Sequence, residues 1–118
     1  MSRLTGVTPF PPDFAARYRS LGYWGDRSLG SVYDELFQTY RDRIAIVAGP
    51  ESITYTELRE RVRRLALNLL ELGVRPLDRA VMQLPNIPEF VYVYFAFQLI
   101  GAIPIMALAQ HRELELDA

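Results

Sequence analysis

The stretch AVMQLPNIPEFVYVYFAFQLIGAIPIMAL, residues 80–108, is the most apolar part of the chain and predicts a strand, a helix and a second strand. Residues 80–84 form a short apolar run that Pro85 closes, and residues 103–108 form a second run that follows Gly101. Both have the length and the flanking breakers of buried strands. A helix between two such strands joins parallel neighbours, and parallel sheets are covered on both faces. The pattern therefore predicts an α/β fold with a mostly parallel sheet and covering helices.

The helix between the two strands has signals at both of its ends. Asn86 is predicted to cap its start, because an asparagine side-chain oxygen can accept from a free backbone amide of the first turn. Pro88 suits the first turn, where its missing N–H is not needed. Glu89 lies where the helix dipole favours an anion. Gly101 is predicted to end the helix in a left-handed conformation.

A membrane span is the alternative interpretation of this region. Residues 90–109 contain one strongly polar side chain, Gln98, over about the length that crosses a bilayer. Gly101 and Pro104 interrupt the run, however, and no basic cluster flanks it. We therefore predict a buried core and no membrane association.

Residues 1–27 predict an N-terminal arm with one short helix, which begins near Pro12 and stops at Gly22. The apolar stripe of this helix is too short to be stable alone, so we expect the arm to lie on a larger body, anchored by Tyr23 and Trp24. The stripe consists of Phe14, Tyr18 and Leu21.

Residues 28–118 are predicted to form a second unit, an incomplete α/β subdomain. A helix begins at Ser28 or Ser31 and runs to about Tyr40. A β-hairpin follows, with strands at residues 44–48 and 52–55. The buried face of the helix is predicted to comprise Val32, Leu36, Phe37 and Tyr40.

The longest predicted helix starts at a capping box formed by Thr54 and Glu57 and ends at Gly73. Its spacing predicts a buried face of Leu58, Val62, Leu65, Leu69 and Leu72 and an exposed face of Arg59, Glu60, Arg63 and Arg64. Its arginines, which include Arg61, are one candidate for a phosphate or nucleic-acid patch. The favourable i, i+4 pairs Glu57–Arg61 and Glu60–Arg64 indicate a solvated helix face instead, and no nucleic-acid partner is predicted.

Composition narrows the class of protein further. The formal net charge of the 118 residues is −1, which suggests neither nucleic acid nor an acidic membrane surface as a partner. The chain has no cysteine, which excludes disulfides and thiolate metal sites and is typical of a reducing compartment. The first residues lack the apolar run of a secretory signal, so the predicted location is cytoplasmic.

The sequence contains little catalytic machinery. Its seven glycines never approach the spacing of a phosphate loop, and no nucleophile with a base or metal-ligand cluster stands out. No catalytic, cofactor-binding or metal residue is therefore assigned. His111 and Arg112 follow the carboxyl end of the second strand, the edge where open parallel sheets bind ligands, and are the two candidates for a substrate pocket.

The sequence resembles one enzyme family. ITYTELRERVRRLALNLLELGV, residues 53–74, resembles the first core motif of the adenylate-forming enzymes, and LIGAIPIMAL, residues 99–108, resembles the second. The arm FPPDFAARYRSLGYWGDRSL, residues 10–29, and LAQHRELEL, residues 108–116, resemble the stand-alone aryl-acid adenylating enzymes of siderophore biosynthesis. Ala109 stands where many members have proline.

This resemblance implies an enzyme that uses ATP and Mg²⁺ to activate 2,3-dihydroxybenzoate or salicylate as the acyl adenylate. It also implies transfer of the acyl group to the phosphopantetheine thiol of an aryl carrier protein. The family's phosphate loop, ribose-binding aspartate, adenine segment and lysine all lie beyond residue 118, so we expect these residues alone to be inactive. Two alternatives stay open: an acyl-CoA ligase or amino-acid adenylation domain, and a non-catalytic interaction domain.

The 118 residues are expected to be the front of a longer chain. Residues 111–118 are typical of the opening of another amphipathic helix, and the helix over residues 87–100 needs partners on more than one side. If expressed alone, these residues are expected to expose an apolar patch and to self-associate.

Overall fold

The computed structural model describes residues 6–112, which form four helices and four strands. In chain order these elements are α1 (Pro12–Ser20), α2 (Leu29–Thr39), β1 (Ile44–Ala48), β2 (Glu51–Thr54), α3 (Tyr55–Glu71), β3 (Arg79–Met82), α4 (Pro88–Ile100) and β4 (Ile103–Met106). The helix predicted over residues 111–118 falls almost entirely outside the described residues.

Strands β3 and β4 are parallel neighbours joined by α4, as the sequence predicts. Arg79 pairs with Ile103 and Met82 with Met106, so the two strands start and end together. Each strand is shorter at its carboxyl end than predicted, because the chain leaves regular pairing at residues 83 and 107. The mixed α/β architecture of the prediction is confirmed.

The start of α4 differs from the prediction. Its N-cap is Ile87, with φ −128° and ψ 163°, and no side chain caps the helix. The prediction of an Asn86 cap was wrong because the residue before a proline is forced into extended backbone, so Pro88 moves the helix boundary to Ile87. The predicted end is confirmed: Gly101 adopts the left-handed conformation, with φ 84°.

The hairpin and the start of α3 follow their local signals. Strands β1 and β2 pair in antiparallel fashion, and Gly49 takes a positive φ of 59° in the turn. Strand β2 is shifted back by one residue, so that Tyr55 already belongs to α3. The capping box is confirmed, because Thr54 Oγ1 accepts from the Glu57 amide at 3.2 Å while Glu57 Oε2 accepts from the Thr54 amide at 2.8 Å. Helix α2 likewise begins after Ser28, whose side chain accepts from the Ser31 amide.

The main core lies where α2, α3, α4 and the hairpin meet. A second, smaller cluster lies between α4 and the parallel strands. The buried residues of the main core are Phe37, Ile53, Leu58, Val62, Ala66, Tyr92 and Ala96, and those of the second cluster are Met82, Phe97 and Ala102.

Three predicted core positions are exposed instead. Leu36 on α2 and Tyr40 just after it are exposed, and Leu72 is 82% exposed. Leu72 lies after the last residue of α3, so it has no facing element among the described residues. Apolar spacing alone could not show that Ala66 and Tyr33 would face the core in place of these residues.

The parallel strands are covered less than predicted. Met82 is buried, whereas Val81, Ile105 and Met106 are each about half exposed. The prediction that both faces would be covered does not hold within residues 6–112, since the cluster that packs on these strands is formed with α4. Val81 and Ile105 are paired neighbours on one face of the strands, whereas Met106 lies on the opposite face.

The N-terminal arm packs mainly on itself. The ring of Trp24 lies 4.9 Å from that of Phe10 and 5.5 Å from that of Tyr18, measured between centroids. Phe14 joins the same cluster, whereas Leu21 and Tyr23 are exposed. Trp24 therefore fixes the path of the chain around α1. The prediction that Trp24 anchors the arm on the larger body was wrong, because its ring packs on residues of the arm itself.

Within residues 6–112, no helix combines the length and the apolar character needed to cross a membrane. The most apolar one, α4, has 13 residues.

The close approach of α2 to α4 depends on Gly30. A Cβ atom at this buried position would lie 2.5 Å from the Gln98 carbonyl oxygen and 2.9 Å from Leu99 Cα. We expect Gly30→Ala to lower the free energy of unfolding by about 1–3 kcal/mol, because the obstacle is backbone and the helices must separate. Urea denaturation measures the change.

Gly25→Ala is the matched control, because a Cβ there meets nothing within 4 Å. It should change the unfolding free energy by less than about 0.5 kcal/mol. Equal stability of the two variants would contradict the close-contact explanation.

Candidate functional site at the carboxyl edge of the parallel strands

The carboxyl ends of β3 and β4 bring together two polar segments that are distant in sequence. The Ala107 amide donates to the Met82 carbonyl at 2.9 Å, which continues the pairing one step beyond β4. Gln83 then follows β3, and residues 108–112 follow β4. The predicted site residues His111 and Arg112 therefore lie at this edge, with His111 half-buried and Arg112 exposed.

Gln83 holds the segment after β4 against the end of β3. Its Nε2 donates to the Leu108 carbonyl at 3.0 Å and to the His111 carbonyl at 2.7 Å. The carboxamide of Gln83 thus donates both of its N–H groups, one to each end of a single turn. We call residues 108–111 the edge turn.

The edge turn is also closed from within. The His111 amide donates to the Leu108 carbonyl at 3.0 Å, and the Leu108 amide donates to His111 Nδ1 at 3.3 Å. The His111 imidazole therefore has a structural role through Nδ1. The assignment of His111 and Arg112 to a substrate pocket stays a prediction.

Sequence reasoning missed Gln83. It placed residue 83 inside a strand over residues 80–84, where a glutamine side chain has no special meaning. The available signal was a single polar side chain between an apolar run and Pro85, at the end of a predicted parallel strand.

The arginines of α3 mostly bind within the protein. Arg59 donates from Nε and Nη2 to the two carboxylate oxygens of Asp34 on α2, at 2.8 and 3.0 Å, and Arg63 Nη1 lies 3.5 Å from Asp34 Oδ1. Arg61 Nη1 donates to the Tyr92 hydroxyl on α4 at 2.6 Å. The prediction that Arg59 points to solvent was wrong, because the spacing along one helix cannot reveal a carboxylate on another.

These contacts shift two pKa values on the α2–α3 interface. The hydrogen bonds from Arg59, more than its charge, hold the pKa of Asp34 below its ordinary value. The same bonds raise the pKa of Arg59. Elsewhere, backbone and side-chain hydrogen bonds from Thr54 lower the pKa of Glu57, and burial followed by the neighbouring Tyr33 raises that of Tyr94.

Two hollows lie against the helices. A groove of about 420 Å³ between α3 and α4 is lined by Arg61, Arg64, Asn68, Glu89 and Tyr92, among others. An apolar hollow of about 340 Å³ lies between α2, the hairpin and α4. Residues 6–112 contain no group of three or more His, Cys, Asp or Glu side chains that could hold a metal ion.

A family model described as "AMP-binding enzyme" matches residues 33–118. The chain belongs to this family of AMP-binding enzymes.

The curated relatives include aryl-acid AMP ligases. The chain is 42% identical to the 2,3-dihydroxybenzoate-AMP ligase of Bacillus subtilis, over 96% of this chain and 21% of that protein. It is also 42% identical to a salicyl-AMP ligase / salicyl-S-ArCP synthetase of Mycobacterium tuberculosis, with 96% and 21% covered. A 2-hydroxy-7-methoxy-5-methyl-1-naphthoate–CoA ligase of Streptomyces carzinostaticus is 43% identical, with 94% and 20% covered.

The fold agrees with a solved relative. The apo structure of MbtA from Mycobacterium smegmatis superposes with a TM-score of 0.87 at 42% identity, over 94% of this chain and 21% of that one. The chain spans about a fifth of the length of each of these proteins.

The Asp34–Arg59 pair yields a pH-dependent prediction. Asp34 has a lowered pKa in the folded state, so its contribution to stability is present above the ordinary pKa of about 3.9 and is lost as the pH falls through the folded value. We expect Asp34→Asn to lower the unfolding free energy by about 1 kcal/mol at pH 7, because both side chains are only partly exposed, at 22% and 29%. The difference from the unmodified protein should shrink below about pH 4.

Asp42→Asn is the matched control for this measurement. Asp42 Oδ2 lies 3.3 Å from Arg41 Nε in an exposed pair. Its removal should change stability by less than about 0.5 kcal/mol at every pH. A pH-independent loss in Asp34→Asn would contradict the ion-pair explanation.

Proposed function

We propose that this chain is part of an ATP-dependent enzyme that activates an aromatic carboxylic acid, 2,3-dihydroxybenzoate or salicylate, for siderophore biosynthesis. Alignment of the N-terminal arm with aryl-acid ligases carries the proposal. The family model begins at residue 33, whereas the alignments to both of these relatives cover 96% of the chain and so extend well into the arm. The division of the chain into an arm, residues 1–27, and a subdomain, residues 28–118, stays a prediction.

The proposed reaction has two steps. A carboxylate oxygen of the acid attacks the α-phosphorus of ATP, the bond to the β-phosphate oxygen breaks, and pyrophosphate leaves. A thiol sulfur then attacks the acyl carbon, losing its proton, and AMP leaves with the electrons of the broken C–O bond. Adenylation is needed because a free carboxylate is a poor electrophile.

Within this proposal, residues 6–112 provide a scaffold. They form no metal cluster, and they contain none of the family's nucleotide-binding motifs. No described residue is assigned to hold the Mg²⁺ expected for such an enzyme, and no step is assigned to this ion. The parallel strands and α4 supply a rigid edge on which later elements of such an enzyme can be mounted.

The thiol acceptor has two candidates. One relative is named as a salicyl-S-ArCP synthetase, which supports the phosphopantetheine thiol of an aryl carrier protein, our preferred acceptor. The naphthoate relative is named as a CoA ligase, which favours coenzyme A as the second candidate. Membership of the AMP-binding family counts against a non-catalytic interaction domain. Cytoplasmic location and self-association of the isolated residues stay predictions.

Pyrophosphate exchange tests the proposed reaction. The protein expressed from its complete coding sequence should exchange labelled pyrophosphate into ATP at least about tenfold faster with 2,3-dihydroxybenzoate or salicylate than with alkyl or amino acids. Faster exchange with a fatty acid or an amino acid would contradict the aryl-acid assignment. Thioester formation on a carrier protein, compared with coenzyme A, then identifies the acceptor.

Calorimetry tests the scaffold role. Residues 1–118 expressed alone should show no micromolar binding of ATP or aryl acid, because the nucleotide-binding motifs are absent from them. The product of the complete coding sequence is the positive control. Micromolar binding by the isolated residues would mean that a ligand site lies within this chain.

A further inference from the structure

The edge turn fixes more than the path of the backbone. The Leu108 amide donates to His111 Nδ1, so this nitrogen must carry a lone pair and not a hydrogen. In a neutral imidazole the proton then resides on Nε2. The turn therefore selects one of the two tautomers of His111.

Gln83 keeps this selection in place. The two carbonyl groups that it binds, those of Leu108 and His111, belong to the same two residues that make the amide-to-imidazole bond. A backbone bond from the His111 amide to the Leu108 carbonyl closes the same turn. Loss of the Gln83 donor would remove the two bonds that tie the turn to β3, so that only the two bonds within the turn would hold the Leu108 N–H against Nδ1.

The remaining imidazole nitrogen has no role in the turn. No described residue is recorded as a hydrogen-bond partner of Nε2, and the side chain is half-buried at the carboxyl edge of the parallel strands. An N–H held in a fixed position at such an edge is suited to bind an oxygen acceptor of a ligand.

We propose that Gln83 is a positioning residue that holds His111 as the Nε2–H tautomer, so that the edge turn offers a fixed N–H donor to an anionic oxygen of a substrate. The proposal rests on the proposed function for the identity of the substrates. A carboxylate oxygen of the aromatic acid and a phosphate oxygen of ATP share the required chemistry. Both are negatively charged acceptors and would bind the donor in the same way.

The tautomer is measurable without any assumption about activity. The protein expressed from its complete coding sequence is labelled with ¹⁵N-histidine, and the signals that disappear in His111→Gln are those of His111, the one histidine of these 118 residues. We expect a single Nε2–H form of His111 in the unmodified protein at neutral to slightly alkaline pH. An Nδ1–H form, or a mixture of the two, overturns the proposal directly.

Two substitutions test the part played by Gln83. Gln83→Met keeps the length of the side chain and removes the donor, and should convert His111 to a mixture of tautomers. Gln110→Met is the matched control, because it makes the same neutral exchange at an exposed residue of the same turn, for which no side-chain bond is seen among the described residues. It should retain the single form. A fixed tautomer in Gln83→Met overturns the proposal.

Kinetics of the protein expressed from its complete coding sequence test the link to substrate. Gln83→Met should raise the KM of one substrate about five- to tenfold, as expected for one displaced hydrogen bond, with little change in kcat. A higher KM for the acid assigns the donor to the carboxylate, and a higher KM for ATP assigns it to a phosphate. Unchanged KM values for both substrates overturn the proposal.

The outcomes separate the two hypotheses. Absence of pyrophosphate exchange with every acid in the unmodified enzyme would overturn the proposed function, and the NMR result would still decide the tautomer. Normal exchange with unchanged KM values in Gln83→Met would overturn the present inference and leave the proposed function standing.

Discussion

The apolar surface of α4 is the constraint on which the rest of the fold depends. This helix is apolar on nearly all sides, and a helix of that kind is stable in water only when several elements cover it. Tyr92 and Ala96 face the cluster shared with α2 and α3, whereas Phe97 faces the cluster shared with β3 and β4. Helices α2 and α3 bury one side of α4, and strands β3 and β4 bury another. The need to cover α4 therefore brings the helices and the parallel strands together.

The turn at Gly101 links the end of α4 to the start of the parallel pair of strands. The Gly101 carbonyl accepts from the Leu77 amide at 2.8 Å, and the Ile103 amide donates to the Asp78 carbonyl at 2.7 Å. These bonds set the starts of β3 and β4 side by side. Since the strands are also equal in length, their carboxyl ends coincide, and Gln83 meets the edge turn 25 residues and more along the chain. The geometry of the candidate site is thus a consequence of the register.

The sequence predicted the features that depend on local signals. The parallel β-α-β unit, the capping box at Thr54 and the left-handed end at Gly101 each follow from a short run of residues and an apolar period. The errors concern choices made by tertiary contacts. Pro88 overrode Asn86 as the determinant of the start of α4, and Asp34 on another helix took Arg59 out of solvent. The position of His111 at the edge was predictable from topology, but the bonds from Gln83 were not, because they require the register of both strands.

The distribution of satisfied polar groups explains why the strand edge, and not the arginine-rich face of α3, is the better candidate for ligand binding. Arg59 and Arg61 donate to Asp34 and Tyr92, so a ligand phosphate that drew these side chains away would weaken bonds between the helices. At the strand edge the internal bonds have a different effect. They use Gln83 and Nδ1 of His111 and leave Nε2 without a recorded partner among the described residues, so a ligand there would add a bond without displacing one. Under the tautomer proposed for His111, the edge turn combines a supported imidazole with a donor that no described residue uses, which suits binding by a rigid scaffold.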